Sequence, residues 1–124
     1  MHTYSFEKLQ VWQEVRKLTK EVYLVTINFP DFERFGLVSQ MRRAIISVGS
    51  NIAEGSSRRT PKDQAHFYSI SYGSLIELLS QLTVSLDLGY INDQQYTELR
   101  TSVEYISKQI NYLSKAILSV PEIR

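Results

Sequence analysis

Residues 92–118, NDQQYTELRTSVEYISKQINYLSKAIL, decide the fold. Tyr96, Leu99, Val103, Ile106, Ile110, Leu113 and Ile117 recur at alternating spacings of three and four, which sets them along one face of a helix turned toward partner helices. Asn92 stands where an N-cap belongs, and Gln95 sits where the reciprocal side chain of a capping box belongs. Working upstream, Gly89 ends a segment seamed by Tyr68, Tyr72, Leu75, Leu79, Leu82 and Leu86. That segment opens with Thr60-Pro61-Lys62-Asp63, an N-cap followed by a first-turn proline and an acid in the first turn. Val38, Met41, Ile45, Val48 and Ile52 form an earlier seam, with Asp31 as its cap and Gly55 as a left-handed stop. The first seam is Val11, Val15, Leu18, Val22 and Val25; Ser5 can cap it, and Pro30 ends it near Asn28.

No segment alternates with period two over a useful length. The pattern therefore predicts an all-α protein, with one domain across residues 1–124 and helices near 6–28, 33–54, 61–88 and 93–118, followed by a frayed tail at 119–124. Connections of roughly four to six residues force neighbouring helices antiparallel, which gives an up-and-down four-helix bundle. Trp12, Tyr23, Leu24, Ile27, Phe67, Ile70, Leu78, Tyr105 and Tyr112 widen the apolar stripes beyond one seam. They fit either a thick core or a second face buried in an oligomer. Gly49, Ala53, Ser69 and Gly73 would let backbones approach closely.

Composition narrows the function. The 124 residues carry 14 Lys+Arg against 13 Asp+Glu, a formal charge of +1, so the protein is no bulk polycation that coats nucleic acid by charge alone. Cysteine is absent, which excludes a disulfide framework, a thiolate metal site and a cysteine nucleophile and fits a reducing, cytoplasmic setting. The opening residues 1–8 lack the apolar core of a signal peptide, and no stretch approaches the roughly 20 apolar residues of a membrane span. His2 and His66 are the only histidines, and no triplet of ligands falls at helical spacing, so neither a metal nor any other cofactor is expected. A Ser-His-Asp arrangement cannot be assembled, and Ser47-Val48-Gly49-Ser50 lacks the spacing and lysine of a phosphate loop. An enzyme is not expected.

Local charge does stand out. Arg42 and Arg43 fall within the second helix, and Arg58, Arg59 and Lys62 gather at the turn into the third. The turn meets a helix N-terminus, where free N–H groups and the dipole favour an anion, and Ser56, Ser57 and Thr60 add hydroxyls. These five residues are the candidate nucleic-acid-binding set; the competing reading is a solvated turn with intramolecular Arg–Glu pairs. Arg42 and Arg43, about 100° apart on a helix, cannot share a face, so one of them is expected to pair inward with Glu54 or Glu77. Tyr68, Tyr72 and Tyr105 can in principle stack on bases, though packing suits them better.

One run carries a resemblance. Arg42-Arg43-Ala44-Ile45-Ile46-Ser47-Val48-Gly49-Ser50-Asn51-Ile52-Ala53-Glu54-Gly55, with Leu9-Gln10-Val11-Trp12-Gln13 before it and Tyr72-Gly73-Ser74-Leu75-Ile76-Glu77-Leu78 after it, resembles the four-helix bundle proteins associated with intervening sequences in bacterial 23S ribosomal RNA genes. That family is also labelled S23 ribosomal protein. Gly49 and Leu79 depart from the proline and glutamate common there. The resemblance implies a homo-oligomer, a five-fold ring (a homopentamer), and suggests binding to structured RNA such as rRNA. A protein–protein scaffold with no nucleic-acid role is the alternative.

Overall fold

A computed structural model of the protein describes residues 1–119 and contains helices and turns with no strand among them. The four helices are α1 (Gln10–Thr26), α2 (Leu37–Ser56), α3 (Pro61–Asp87) and α4 (Asp93–Leu118). Each packs on its two neighbours in the cycle α1–α2–α3–α4–α1, and no diagonal pair approaches closely among the described residues. The result is an antiparallel up-and-down bundle, in which the α2–α3 seam is the most extensive and the α1–α4 seam the least. Among the described residues no helix is long and apolar enough to cross a membrane.

Helix ends show how the sequence is read by the backbone. Thr60 Oγ1 accepts from the Asp63 N–H at 3.1 Å, with Pro61 behind it. At α4 the capping box is complete: Asn92 Oδ1 accepts from Gln95 N at 2.8 Å, and Gln95 Oε1 accepts from Asn92 N at 2.9 Å. Gly89 adopts φ +76°, and the bonds from Tyr90 N to Ser85 O and from Gly89 N to Leu86 O close α3 as a Schellman motif.

The first two helices differ from expectation. The segment predicted as helix over 6–28 is a 3-10 turn at Ser5–Lys8 followed by α1, which stops two residues early. Ser5 caps nothing; its hydroxyl reaches Ser56 O on α2 at 3.4 Å, while the break at Leu9 lets the Phe6 ring pack edge-on against Trp12. The second helix, expected from 33, begins at Leu37 after a separate 3-10 turn at Asp31–Glu33. Its start is held by Glu33 rather than Asp31. Glu33 Oε1 accepts from Leu37 N at 3.4 Å, and Oε2 accepts from the Tyr90 hydroxyl at 3.0 Å. A Cβ on Gly36 would stand 2.9 Å from that carboxylate, so the glycine makes room for the cap. The tail predicted to fray lies, apart from Ser119, outside the described residues.

The core follows the seams, with one difference. The named apolar positions of α1, α2 and α4 are buried or half-buried. On α3, however, Ser71, Leu78, Gln81 and Ser85 are buried, while Tyr72, Leu79 and Leu86 only flank the core. The arc is wide because α3 packs on both α2 and α4. Its serines bury without loss: Ser71 Oγ donates to Val48 O of α2 at 2.8 Å, and Ser85 Oγ to Gln81 O at 2.7 Å. Leu78 thus belongs to the core, whereas Tyr23, Leu24, Ile27, Ile70, Tyr105 and Tyr112 stay exposed.

Gly55 is not the left-handed stop its position suggested. It lies inside α2 with negative φ, and a Cβ there would meet Tyr68 Cε1 at 2.7 Å and the Gln64 carbonyl at 3.2 Å. Gly49 has a similar reason, Val15 of α1 at 3.3 Å, but Gly73 faces open space. Because the Tyr68 ring is buried and cannot yield, Gly55→Ala is expected to destabilise the fold by about 1–2 kcal/mol, despite alanine's better helix propensity. Chemical denaturation checks this. Burial raises the Tyr68 phenol above 10.0, and burial with the Glu33 carboxylate does the same for Tyr90. Both favour the neutral form in the fold, so the stability they supply is complete below about pH 10 and is lost as pH rises past it.

Candidate nucleic-acid interface

The five candidate cations sort into two that brace the fold and three that face water. Arg42 turns inward, but toward α1 and not toward a glutamate. Its Nε donates to Thr26 Oγ1 at 3.0 Å, its Nη2 to Tyr23 O at 3.3 Å, and its guanidinium lies 4.6 Å from the centre of the Tyr23 ring. These acceptors belong to the last turn of α1, where carbonyls lack helical partners and the dipole is negative. Arg42 is a C-terminal cap supplied in space by the next helix. The glutamates expected to take it are engaged elsewhere: Glu54 by Arg58, and Glu77 by Gln81 Nε2 at 3.3 Å. Arg43, one position on, is exposed and makes no ion pair among the described residues.

Arg58 is the second brace. Its Nη2 lies 2.6 Å from Glu54 Oε1, its Nε 3.9 Å from Asp63 Oδ2, and its guanidinium 4.5 Å from the centre of the Phe67 ring. Gln64 Nε2 donates to the Arg58 carbonyl at 2.8 Å, which ties the turn to the first turns of α3. Arg59 and Lys62 are exposed and without ion pairs among the described residues.

The α3 N-terminus is a poorer anion site than the sequence suggested. Pro61 has no N–H to offer, Thr60 takes that of Asp63, and the Asp63 carboxylate already sits at the positive end of the dipole. The neighbouring hydroxyls are occupied too: Ser56 Oγ donates to Ala53 O at 2.8 Å and Ser57 Oγ to Glu54 O at 2.7 Å. What remains for an anion is the exposed pair Arg59 and Lys62. This pair and Arg43 do not form one patch. Arg43 and the end of α2 at Ser56 are roughly 20 Å apart along the helix axis at 1.5 Å per residue.

The sequence reading missed what surrounds Arg43. Tyr23, Arg34, Phe35, Arg42, Arg43 and Ile46 line a groove of about 450 Å³ where the end of α1 meets the start of α2. Phe35 is 89% exposed and Phe32 79%. The signal was present: two phenylalanines follow Pro30 within Pro30-Asp31-Phe32-Glu33-Arg34-Phe35-Gly36, and assigning residues from 33 to a helix concealed that they have no core to enter. Of the tyrosines considered for stacking, Tyr68 is in the core, Tyr72 is half-buried and Tyr105 is exposed. Among the described residues no three His, Asp or Glu side chains converge as a metal site would require.

The model of the family described as 23S rRNA-intervening sequence protein matches residues 7–112, and the chain belongs to that family. The bundle is similar to a crystal structure of a protein with unknown function from the S23 ribosomal protein family of Bacteroides thetaiotaomicron VPI-5482. The TM-score is 0.76 at 20% sequence identity, covering 85% of this chain and 98% of that one. At that identity the likeness establishes a shared fold. No curated protein matches the chain.

The two classes of arginine separate by stability. Arg42→Ala removes two hydrogen bonds and a cation–π contact at the end of α1 and is expected to cost about 1–2 kcal/mol. Arg43→Ala is expected to stay within about 0.5 kcal/mol of wild type. Thermal or denaturant unfolding of the two variants checks the assignment; equal losses would refute it.

Proposed function

We propose that this member of the 23S rRNA-intervening sequence protein family is a non-catalytic, cytoplasmic, homo-oligomeric bundle that binds RNA through cations displayed by α2 and the α2–α3 turn. The observation that carries the reading is the division of charge within this hairpin. Of its four acids, the two nearest the turn, Glu54 and Asp63, both lie against Arg58, while Arg43, Arg59 and Lys62 are exposed and make no ion pair among the described residues. A nearly neutral chain thereby keeps exposed cations toward both ends of α2. Family membership supports an association with rRNA, and the S23 label of the structural neighbour agrees with it.

A few cations per chain bind weakly, so the reading includes repetition of these cations around an oligomer, five-fold by family resemblance, where linked contacts add avidity. Exposed Ile70, Ile76 and Val84 on α3, with Leu88 just past its end, support assembly, as does Gly73, a helical glycine with open space where a side chain would stand. The same apolar surface favours the second reading, a protein–protein scaffold in which the cations are merely solvated. That reading predicts no salt-dependent affinity for RNA.

The test is charge reversal on the assembled protein. Light scattering is expected to give a mass near five times 14.4 kDa for wild type and for Arg43→Glu/Arg59→Glu/Lys62→Glu alike. The triple variant is expected to lose RNA affinity by tenfold or more, with a salt dependence shallower by about 2–3 in the log–log slope. Unchanged RNA binding by a correctly assembled triple variant would reject the interface.

A further inference from the structure

We propose that the groove between the end of α1 and the start of α2 seats an unpaired nucleotide, with Phe35 stacking on the base and Arg34, Arg42 and Arg43 holding the flanking phosphates. The proposal rests on the RNA-binding reading above and names the form of RNA that one of its sites takes.

Charge selects the class of occupant. Among the described residues the groove is lined by three guanidinium groups, none in an ion pair, and by no carboxylate. Its occupant must bring negative charge. Arg42 is already oriented by Thr26 and Tyr23 yet has spent only two of its five N–H donors, so it offers a pre-set cation at little cost in side-chain entropy. Arg34 and Arg43 are exposed and available.

The rings select the form. Phe35 is 89% exposed, and the Arg34 guanidinium stands 5.5 Å from its centre, so an aromatic face and a cation are presented together. A flat π-face beside a phosphate-binding cation suits a base followed by its own phosphate, and it is sequence-tolerant because every base has such a face. A base inside a duplex has already used both faces and cannot be offered to the ring. The volume, about 450 Å³, is within the range of small-ligand sites. The Arg59–Lys62 end has no comparable exposed ring, since Phe67 there is half-buried and already lies under Arg58. It therefore suits backbone phosphate in any form of RNA.

The experiment compares a ten-nucleotide oligouridine with a blunt RNA duplex of equal length by fluorescence anisotropy, using wild type, Phe35→Ala and Phe35→Tyr. Phe35 supports no core contact, so all three are expected to share one melting temperature and one light-scattering mass. Phe35→Ala is expected to weaken oligouridine binding about tenfold while duplex binding stays within about twofold, and Phe35→Tyr is expected to restore it. If wild type binds both RNAs and Phe35→Ala alters neither, the nucleotide seat is wrong and the phosphate reading stands. If wild type binds neither RNA, the RNA reading fails and the seat with it. A changed mass for Phe35→Ala would make the face an interface between copies and overturn the proposal.

Discussion

The α2–α3 hairpin is the constraint on which the rest of the structure depends. Two long helices are brought together by a glycine without a side chain to spare: Gly55 accommodates the Tyr68 ring and the Gln64 carbonyl, and a Ser71 hydroxyl reaches across to a Val48 carbonyl. This close approach fixes the rotation of α2. Val38, Met41, Ala44, Ile45, Val48 and Ile52 then point inward, so Arg43 must point outward. α1 closes on the other flank of α2, where Gly49 lets Val15 approach and Arg42 donates to the Tyr23 carbonyl and the Thr26 hydroxyl at the end of α1. α4 completes the cycle against α3 and α1.

Two arginines adjacent in sequence thus acquire opposite duties through helical geometry alone. Arg42 braces the fold and Arg43 is left over; around the turn Arg58 is the brace, while Arg59 and Lys62 are left over. The braces are what make the remainder meaningful, because Arg58 occupies the acids that would otherwise cancel the exposed cations. An apparently neutral composition therefore conceals a charged surface.

Much of this was legible in the sequence, and the reasons for the rest are physical. Seams of large apolar residues were visible in α1, α2 and α4, because in those helices inward positions are apolar and outward ones mostly polar. Local chemistry made the caps at Thr60 and Asn92 and the turn at Gly89 equally readable. In α3 the pattern misled: Ser71 and Ser85 enter the core because both find backbone carbonyls, a solution that a hydrophobicity pattern cannot register. Gly55 was legible as a glycine but not as a contact, since its partner lies 13 positions away. The five basic residues were identifiable, yet their sorting into braces and free cations required the positions of Tyr23, Thr26 and Glu54 in space. Phe35 escaped notice because a loop was taken for the first turn of a helix.

The central claim is that cations left free by these braces contact RNA phosphate, and the salt dependence of RNA affinity tests it most directly. Arg34, Arg43, Arg59 and Lys62 make no ion pair among the described residues of each chain. At about 0.7 per phosphate contact on single strands, the account predicts a linear fall of log affinity with log salt, with a slope of about −3 for one chain and steeper for an assembled oligomer. RNA affinity that is absent at low salt, or a slope near zero, would contradict it.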